Sequence, residues 1–166
     1  METLWLSHSM VKLMILEAED KTPLETGGLL AGYFSENNKE TVVTDIVGPG
    51  PKAVHKRTTY KPDYSFHRDE IGQIYDDSDG EVSYIGDWHT HPTQSGYLSW
   101  TDRKALRNIV RYQNNFLDAP VMLIWGGINS LGDAEWIPQA WRTRSMKGKM
   151  FWPRWDYSPM EVKLFK

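Results

Sequence analysis

The sequence predicts an α/β domain of the α+β type, with a mixed, mostly antiparallel sheet and helices before, within and after it. Three observations carry that expectation. Apolar or β-branched runs recur at Leu29-Leu30-Ala31-Gly32-Tyr33-Phe34, at Glu40-Thr41-Val42-Val43-Thr44-Asp45-Ile46-Val47 and at Val121-Met122-Leu123-Ile124-Trp125. Segments with helical spacing separate them near residues 10–19, 65–75 and 101–115. Glycine, proline and asparagine punctuate the joins at Gly27-Gly28, Asn37-Asn38, Gly48-Pro49-Gly50-Pro51 and Gly126-Gly127. The 166 residues suit one domain with an ordinary core.

Taken in order, residues 3–6 alternate weakly and read as a short edge strand. Ser7 or Ser9 can then cap a helix over 10–19, with Leu13 and Met14 as core residues. Pro23-Leu24-Glu25-Thr26-Gly27-Gly28 leads into a buried strand at 29–34. Taken alone, Glu25 reads as a surface glutamate at a turn. Asn37-Asn38 marks a hairpin turn into the strand at 40–47, and residues 48–62, with Lys52, His55, Lys56 and Arg57, read as a long basic loop. Ser65 can cap the next helix, on which His67 reads as a surface residue. The acidic turn Asp76-Asp77-Ser78-Asp79-Gly80 lacks the twelve-residue ligand pattern of a calcium loop.

A strand is expected over 81–91, a helix over 101–115, a buried strand over 119–126, a turn over 126–132 and a last strand over 134–141. The tail beyond residue 145 holds Phe151, Trp152, Trp155 and Tyr157 among Lys147, Lys149 and Arg154. We read 1–145 as the functional domain and 146–166 as an aromatic-basic extension packing on that domain or on a partner. Such interleaving can bind single-stranded nucleic acid; packing back onto the domain is the simpler explanation, and no nucleic-acid partner is expected.

Composition narrows the chemistry. The hydrophobic fraction is 40% and the charged fraction 25%, both ordinary for a globular protein. No apolar run has the length of a membrane span, and no basic region precedes an apolar segment at the start, so a soluble, cytoplasmic protein is expected. A formal charge of −3 argues against a general nucleic-acid binder. With no cysteine, disulfides, thiol nucleophiles and thiolate metal sites are excluded, and any metal must be held by His, Asp or Glu.

Those ligands concentrate in Gly86-Asp87-Trp88-His89-Thr90-His91-Pro92 and Ser99-Trp100-Thr101-Asp102. Residues i and i+2 of a strand share a face, so His89 and His91 point together while Trp88 and Thr90 point away. A satisfied pair of histidines near a strand end is the ordinary alternative. Asp102, in the first turn of the following helix, would complete the three-ligand set of a catalytic zinc. Ser99-x-x-Asp102 also reads as a helix cap, and the two roles are compatible.

In this order, Glu25, His89-x-His91-Pro92 and Ser99-x-x-Asp102 resemble the JAMM motif of the MPN/JAB superfamily of zinc metallopeptidases. Glu25-Thr26-Gly27-Gly28-Leu29-Leu30-Ala31-Gly32 is similar to the family's glutamate strand, and the likeness runs from about residue 10 to 141. The resemblance implies an MPN/JAMM-like, cytidine-deaminase-like fold. It also implies His89, His91 and Asp102 as Zn2+ ligands, Glu25 as general base and acid, and Ser99 as the residue that stabilises the oxyanion. More narrowly, the chain resembles the prokaryotic JAB proteins encoded beside bacterial E1/E2-like conjugation enzymes, among them the deconjugating isopeptidases of CBASS antiphage systems. That implies a protein substrate with an extended C-terminal tail, either a ubiquitin-like modifier or a conjugated nucleotidyltransferase, for which the basic loop would be a flank.

Two other classes compete. A non-catalytic MPN-type interaction module would share the fold, but no motif position is substituted here. A non-haem iron enzyme with two histidines and one carboxylate is possible from ligand count alone, and metal analysis separates it.

Overall fold

In the computed structural model, which describes residues 1–112, 117–130, 133–146 and 154–166 (the side chains of 128–130 and 133–134 excepted), seven long strands form one closed sheet. The strands are β1 (Glu2–Ser7), β2 (Gly27–Phe34), β3 (Glu40–Val47), β6 (Ser83–His91), β7 (Val121–Ser130), β8 (Asp133–Met146) and β9 (Arg154–Phe165). Two short strands, β4 (Val54–His55) and β5 (Tyr60–Lys61), make a separate ribbon within the expected basic loop. The helices are α1 (His8–Lys21), α2 (Tyr64–Asp77) and α3 (Trp100–Arg111). Around the sheet the order is β1-β3-β2-β6-β7-β8-β9, closing back to β1. The pairs β2/β3, β2/β6, β7/β8 and β8/β9 are antiparallel, and β1/β3, β1/β9 and β6/β7 are parallel. The expected mixed, mostly antiparallel sheet with flanking helices is therefore observed. Among the described residues, no helix is long and apolar enough to cross a membrane.

Alternation on β7 explains its unbroken apolar run. Val121, Leu123 and Trp125 face a core that contains Met14 of α1, Leu4 and Leu6 of β1, and Trp88 of β6. Met122 and Ile124 face a second core beneath α3, with Leu98 and Leu106. Both faces of the strand are covered, so neither needs polar residues. On β6 the same alternation turns Trp88 into the first core.

A β-bulge at Ile85 shifts the β2/β6 register, with Leu30 opposite Gly86 and Ala31 opposite Tyr84. At Gly86 φ is +153°, and a Cβ would meet the Val121 carbonyl oxygen at 1.9 Å, so only glycine fits the close approach to β7.

Several expectations are corrected. Residues 3–6 do not form an edge: β1 lies between β3 and β9, parallel to both. Ser7 does cap α1, its side chain accepting from the Met10 N–H, and Met14 is fully buried, but Leu13 is 57% exposed because it falls on the outer face. Asp63 rather than Ser65 caps α2, accepting from the Phe66 N–H at 3.3 Å. His67 is buried, not on the surface, and its Nε2 bonds the Gly48 carbonyl at 2.8 Å. Gly126 and Gly127 lie within β7 and not in a turn, and residues 131–132 of that expected turn lie outside the described residues. β8 is not the last strand, since Arg154–Phe165 form β9. Trp155 and Tyr157 of β9 carry the guanidinium groups of Arg111 and Arg103 over their rings, each 5.3 Å from the centroid, while Phe151 and Trp152 lie outside the described residues. α3 ends at Arg111, and the end expected at Asn115 falls outside the described residues.

Candidate metal centre

His89 and His91 end β6 on the face that looks toward α3, and both are buried. Asp102 occupies the first turn of α3 and shares its buried side with Leu106, one turn on, so the helix aims the carboxylate at the histidines. The His89 and His91 Nε2 atoms are 3.1 Å apart, and His89 Nε2 lies 3.2 Å from Asp102 Oδ1. Zinc–nitrogen bonds of about 2.0–2.1 Å put neighbouring ligand atoms of a tetrahedral site about 3.3 Å apart. The spacing therefore fits one small divalent ion shared by the three side chains, which form the one cluster of this kind among the described residues.

The surroundings prepare these groups as ligands. His91 Nδ1 donates to the Ser95 carbonyl at 3.3 Å, which leaves Nε2 with its lone pair facing the centre. Burial, reinforced by the nearby His89 ring, lowers the His91 pKa and favours the neutral imidazole that a metal needs. Burial opposes charge on Asp102 as well, but the His89 ring and the bonds from Ser99 overcome it and hold the carboxyl well below its ordinary value. Ser99 is the N-cap of α3 in a complete capping box: its Oγ accepts from the Asp102 N–H at 3.2 Å, and its own N–H donates to Asp102 Oδ2 at 2.8 Å. One carboxylate oxygen of Asp102 thus closes the cap while the other faces His89.

Glu25 reaches the same place from a different element. It precedes β2, whose Gly27 pairs with His89, and Thr26 is bonded to Thr90 between the two histidines. Glu25, His89, His91, Ser99 and Asp102 all line one cleft of about 380 Å³, with Thr58, Thr59 and Tyr60 on the ribbon side. Burial pushes the Glu25 carboxyl up to about 7 and the Asp102 charge adds to this, against the attraction of His89. A carboxyl near neutrality can both take and return a proton at working pH.

The sequence alone does not single out Asp87. It lines the cleft two residues before His89 and accepts from the Tyr84 hydroxyl at 2.7 Å. Burial pushes it up to about 6, opposed by the Tyr84 bond and His89. The signal was present, because i, i+2 alternation extends from His91 through His89 to Asp87.

The family described as prokaryotic homologs of the JAB domain matches residues 7–144. The chain belongs to the prokaryotic JAB family. A relative from Sinorhizobium fredii, "Probable metalloprotease y4qB", is 35% identical over 98% of this chain and 97% of its own length. The "CD-NTase/cGAS isopeptidase" of Escherichia coli is 29% identical over 60% of this chain and 63% of its own, and that of Vibrio cholerae 28% identical over 68% and 71%. The solution structure of protein DSY2949 from Desulfitobacterium hafniense is similar in fold, with a TM-score of 0.64 at 17% identity, covering 100% of this JAB chain and 94% of that one.

Proposed function

We propose that this JAB protein is a zinc-dependent isopeptidase or peptidase. It cleaves the bond after the C-terminus of a conjugated nucleotidyltransferase or ubiquitin-like modifier, and so reverses E1/E2-like conjugation in the cytoplasm during antiphage defence. The observation that carries the reading is the convergence of Glu25, His89, His91, Ser99 and Asp102 on one cleft from three separate elements. The names of the relatives, a metalloprotease along nearly the whole chain and isopeptidases along most of it, point to the same reaction and to a protein substrate.

In this reading His89, His91 and Asp102 hold the ion. Zinc held there would polarise the scissile carbonyl and lower the pKa of a bound water to near 7. Glu25 would take a proton from the attacking water and return it to the leaving amine, a role its raised pKa suits. Ser99, the N-cap of α3 on the wall of the cleft, would stabilise the developing oxyanion through its hydroxyl. His91 keeps its orientation through the Ser95 carbonyl.

The test is a nucleotidyltransferase joined through its C-terminal carboxyl to a lysine side chain, incubated with the purified zinc-loaded protein. Intact-mass analysis should show two products, differing from the conjugate by one added water and separated after the terminal carboxyl. A conjugate that survives, with zinc stoichiometrically bound, contradicts the proposal.

A further inference from the structure

We propose that His55 is a positioning residue for Glu25: from the β4–β5 ribbon it holds the Glu25 backbone and thereby aims the Glu25 carboxylate into the cleft. The inference rests on Glu25 being the proton carrier of the proposed reaction.

Both backbone polar groups of Glu25 end on the ribbon. Its N–H donates to the Lys56 carbonyl at 2.8 Å, and its carbonyl accepts from His55 Nδ1 at 3.0 Å. The next residue, Thr26, is bonded to β6 instead, its N–H donating to Thr90 Oγ1 at 3.0 Å. Glu25 is thus the single residue between two anchors, and its φ and ψ are set by where each anchor sits. The backbone fixes where the Glu25 side chain starts and the direction in which it leaves, and a misplacement of about 1 Å costs a reaction of this kind about 100-fold.

The ribbon can serve as an anchor because it is itself braced. The His55 ring stacks on Tyr60, centroids 6.1 Å apart and planes at 21°. His55 and Tyr60 are register partners, and the Lys56 N–H closes the turn onto the Thr59 carbonyl at 2.9 Å. Tyr60 in turn rests on the metal-site strands. A Cβ at Gly27 would lie 2.8 Å from both Tyr60 Cε1 and His89 Cβ, so the ring fills the space that the glycine leaves. The contact path runs from His89 through Gly27 and Tyr60 to His55 and ends on the Glu25 carbonyl. Thr58, Thr59 and Tyr60 also line the cleft, so an occupant of the cleft touches the same ribbon that holds Glu25.

Two substitutions in the full chain separate the donor from the ring. His55→Phe keeps an aromatic ring against Tyr60 and removes the donor; His55→Asn sacrifices the ring and places an amide N–H close to where Nδ1 sits. For His55→Phe we expect kcat on a cleavable conjugate to fall between about tenfold and 100-fold, with KM within about twofold and bound zinc unchanged. His55→Asn should recover most of the loss. Solvent exchange of the Glu25 amide, read by nitrogen-15 NMR without substrate, should quicken in His55→Phe and return toward wild type in His55→Asn.

Wild-type kcat together with wild-type Glu25 exchange in His55→Phe overturns the proposal. So does a kcat loss that His55→Asn does not recover while Glu25 exchange stays unchanged, since His55 would then act on the substrate. If the wild-type protein cleaves no conjugate, the proposed function fails by itself, and the exchange measurement still decides whether His55 holds Glu25.

Discussion

Thr26 and Thr90 share three hydrogen bonds directly beside the candidate metal centre: the Thr26 N–H donates to Thr90 Oγ1 at 3.0 Å, and the Thr26 carbonyl accepts from the Thr90 N–H at 2.9 Å and from Thr90 Oγ1 at 3.4 Å. Both residues are fully buried. Thr26 follows Glu25, and Thr90 lies between His89 and His91, so this contact joins the glutamate element to the histidine strand. Thr90→Val keeps the shape but leaves the buried Thr26 N–H without an acceptor. We expect a loss of about 1–3 kcal/mol in urea unfolding. Thr90→Ser, which retains the hydroxyl, should recover most of it, and equal midpoints for Val and wild type would remove Thr90 from the account.

Ser99 is asked to do two jobs, and one substitution separates them. Glycine at an N-cap costs only a few tenths of a kcal/mol relative to serine. Loss of an oxyanion donor costs about 10²–10³ in kcat. Ser99→Gly should therefore keep nearly all its thermal stability while cleavage collapses. Parallel small losses in both would leave Ser99 as a cap only.

Glu25 gives the metal-free protein a pH signature. Burial raises its pKa from an ordinary 4.5 to about 7, so the folded protein binds its proton more tightly than the unfolded chain does. Stability from this group is complete below 4.5 and is lost as pH rises toward 7. Glu25→Gln is neutral throughout and loses nothing. Its urea midpoint, measured on metal-free protein, should gain on wild type across that window and then level off. Asp87, pushed up in the same direction to about 6, is common to both proteins and cancels. A constant difference from pH 4.5 to 8 would show that burial does not raise the Glu25 carboxyl as described.

Removing one imidazole should empty the centre. His91→Ala leaves His89 and Asp102 as two ligands, too few for tight binding of zinc. Elemental analysis after gel filtration should find about one zinc per wild-type chain and almost none in the variant. The rise in Tm on adding zinc should vanish with it.

Much of the centre was legible in the sequence because its parts are local. Strand alternation fixes the shared face of His89 and His91, and a three-residue cap spacing puts Ser99 and Asp102 on one helical turn. What escaped depends on distant chain. Nothing within residues 3–6 shows that β9 will pair with β1, Glu2 opposite Met160, and turn an expected edge into an interior strand. His67 is polar by type, yet the Gly48 carbonyl, nineteen residues back, offers the partner that lets it be buried. Ser65 and Asp63 are both good caps, and the choice went to the residue whose carboxylate also accepts from the Ser65 hydroxyl at 2.8 Å and the Lys52 N–H at 3.2 Å. Glu25 reads as a surface turn residue by itself and gains its place only through the ribbon and Thr90.

The proposed role of Glu25 as proton carrier for a hydrolysis built on His89, His91 and Asp102 is decided by two measurements on the same preparations of wild type and Glu25→Gln: the zinc content and the rate of cleavage of one conjugated substrate. We expect about one zinc per chain in both proteins and a loss of cleavage of at least about 100-fold in Glu25→Gln, the lower bound for removing a positioned acid–base group. Full cleavage by zinc-loaded Glu25→Gln would contradict it.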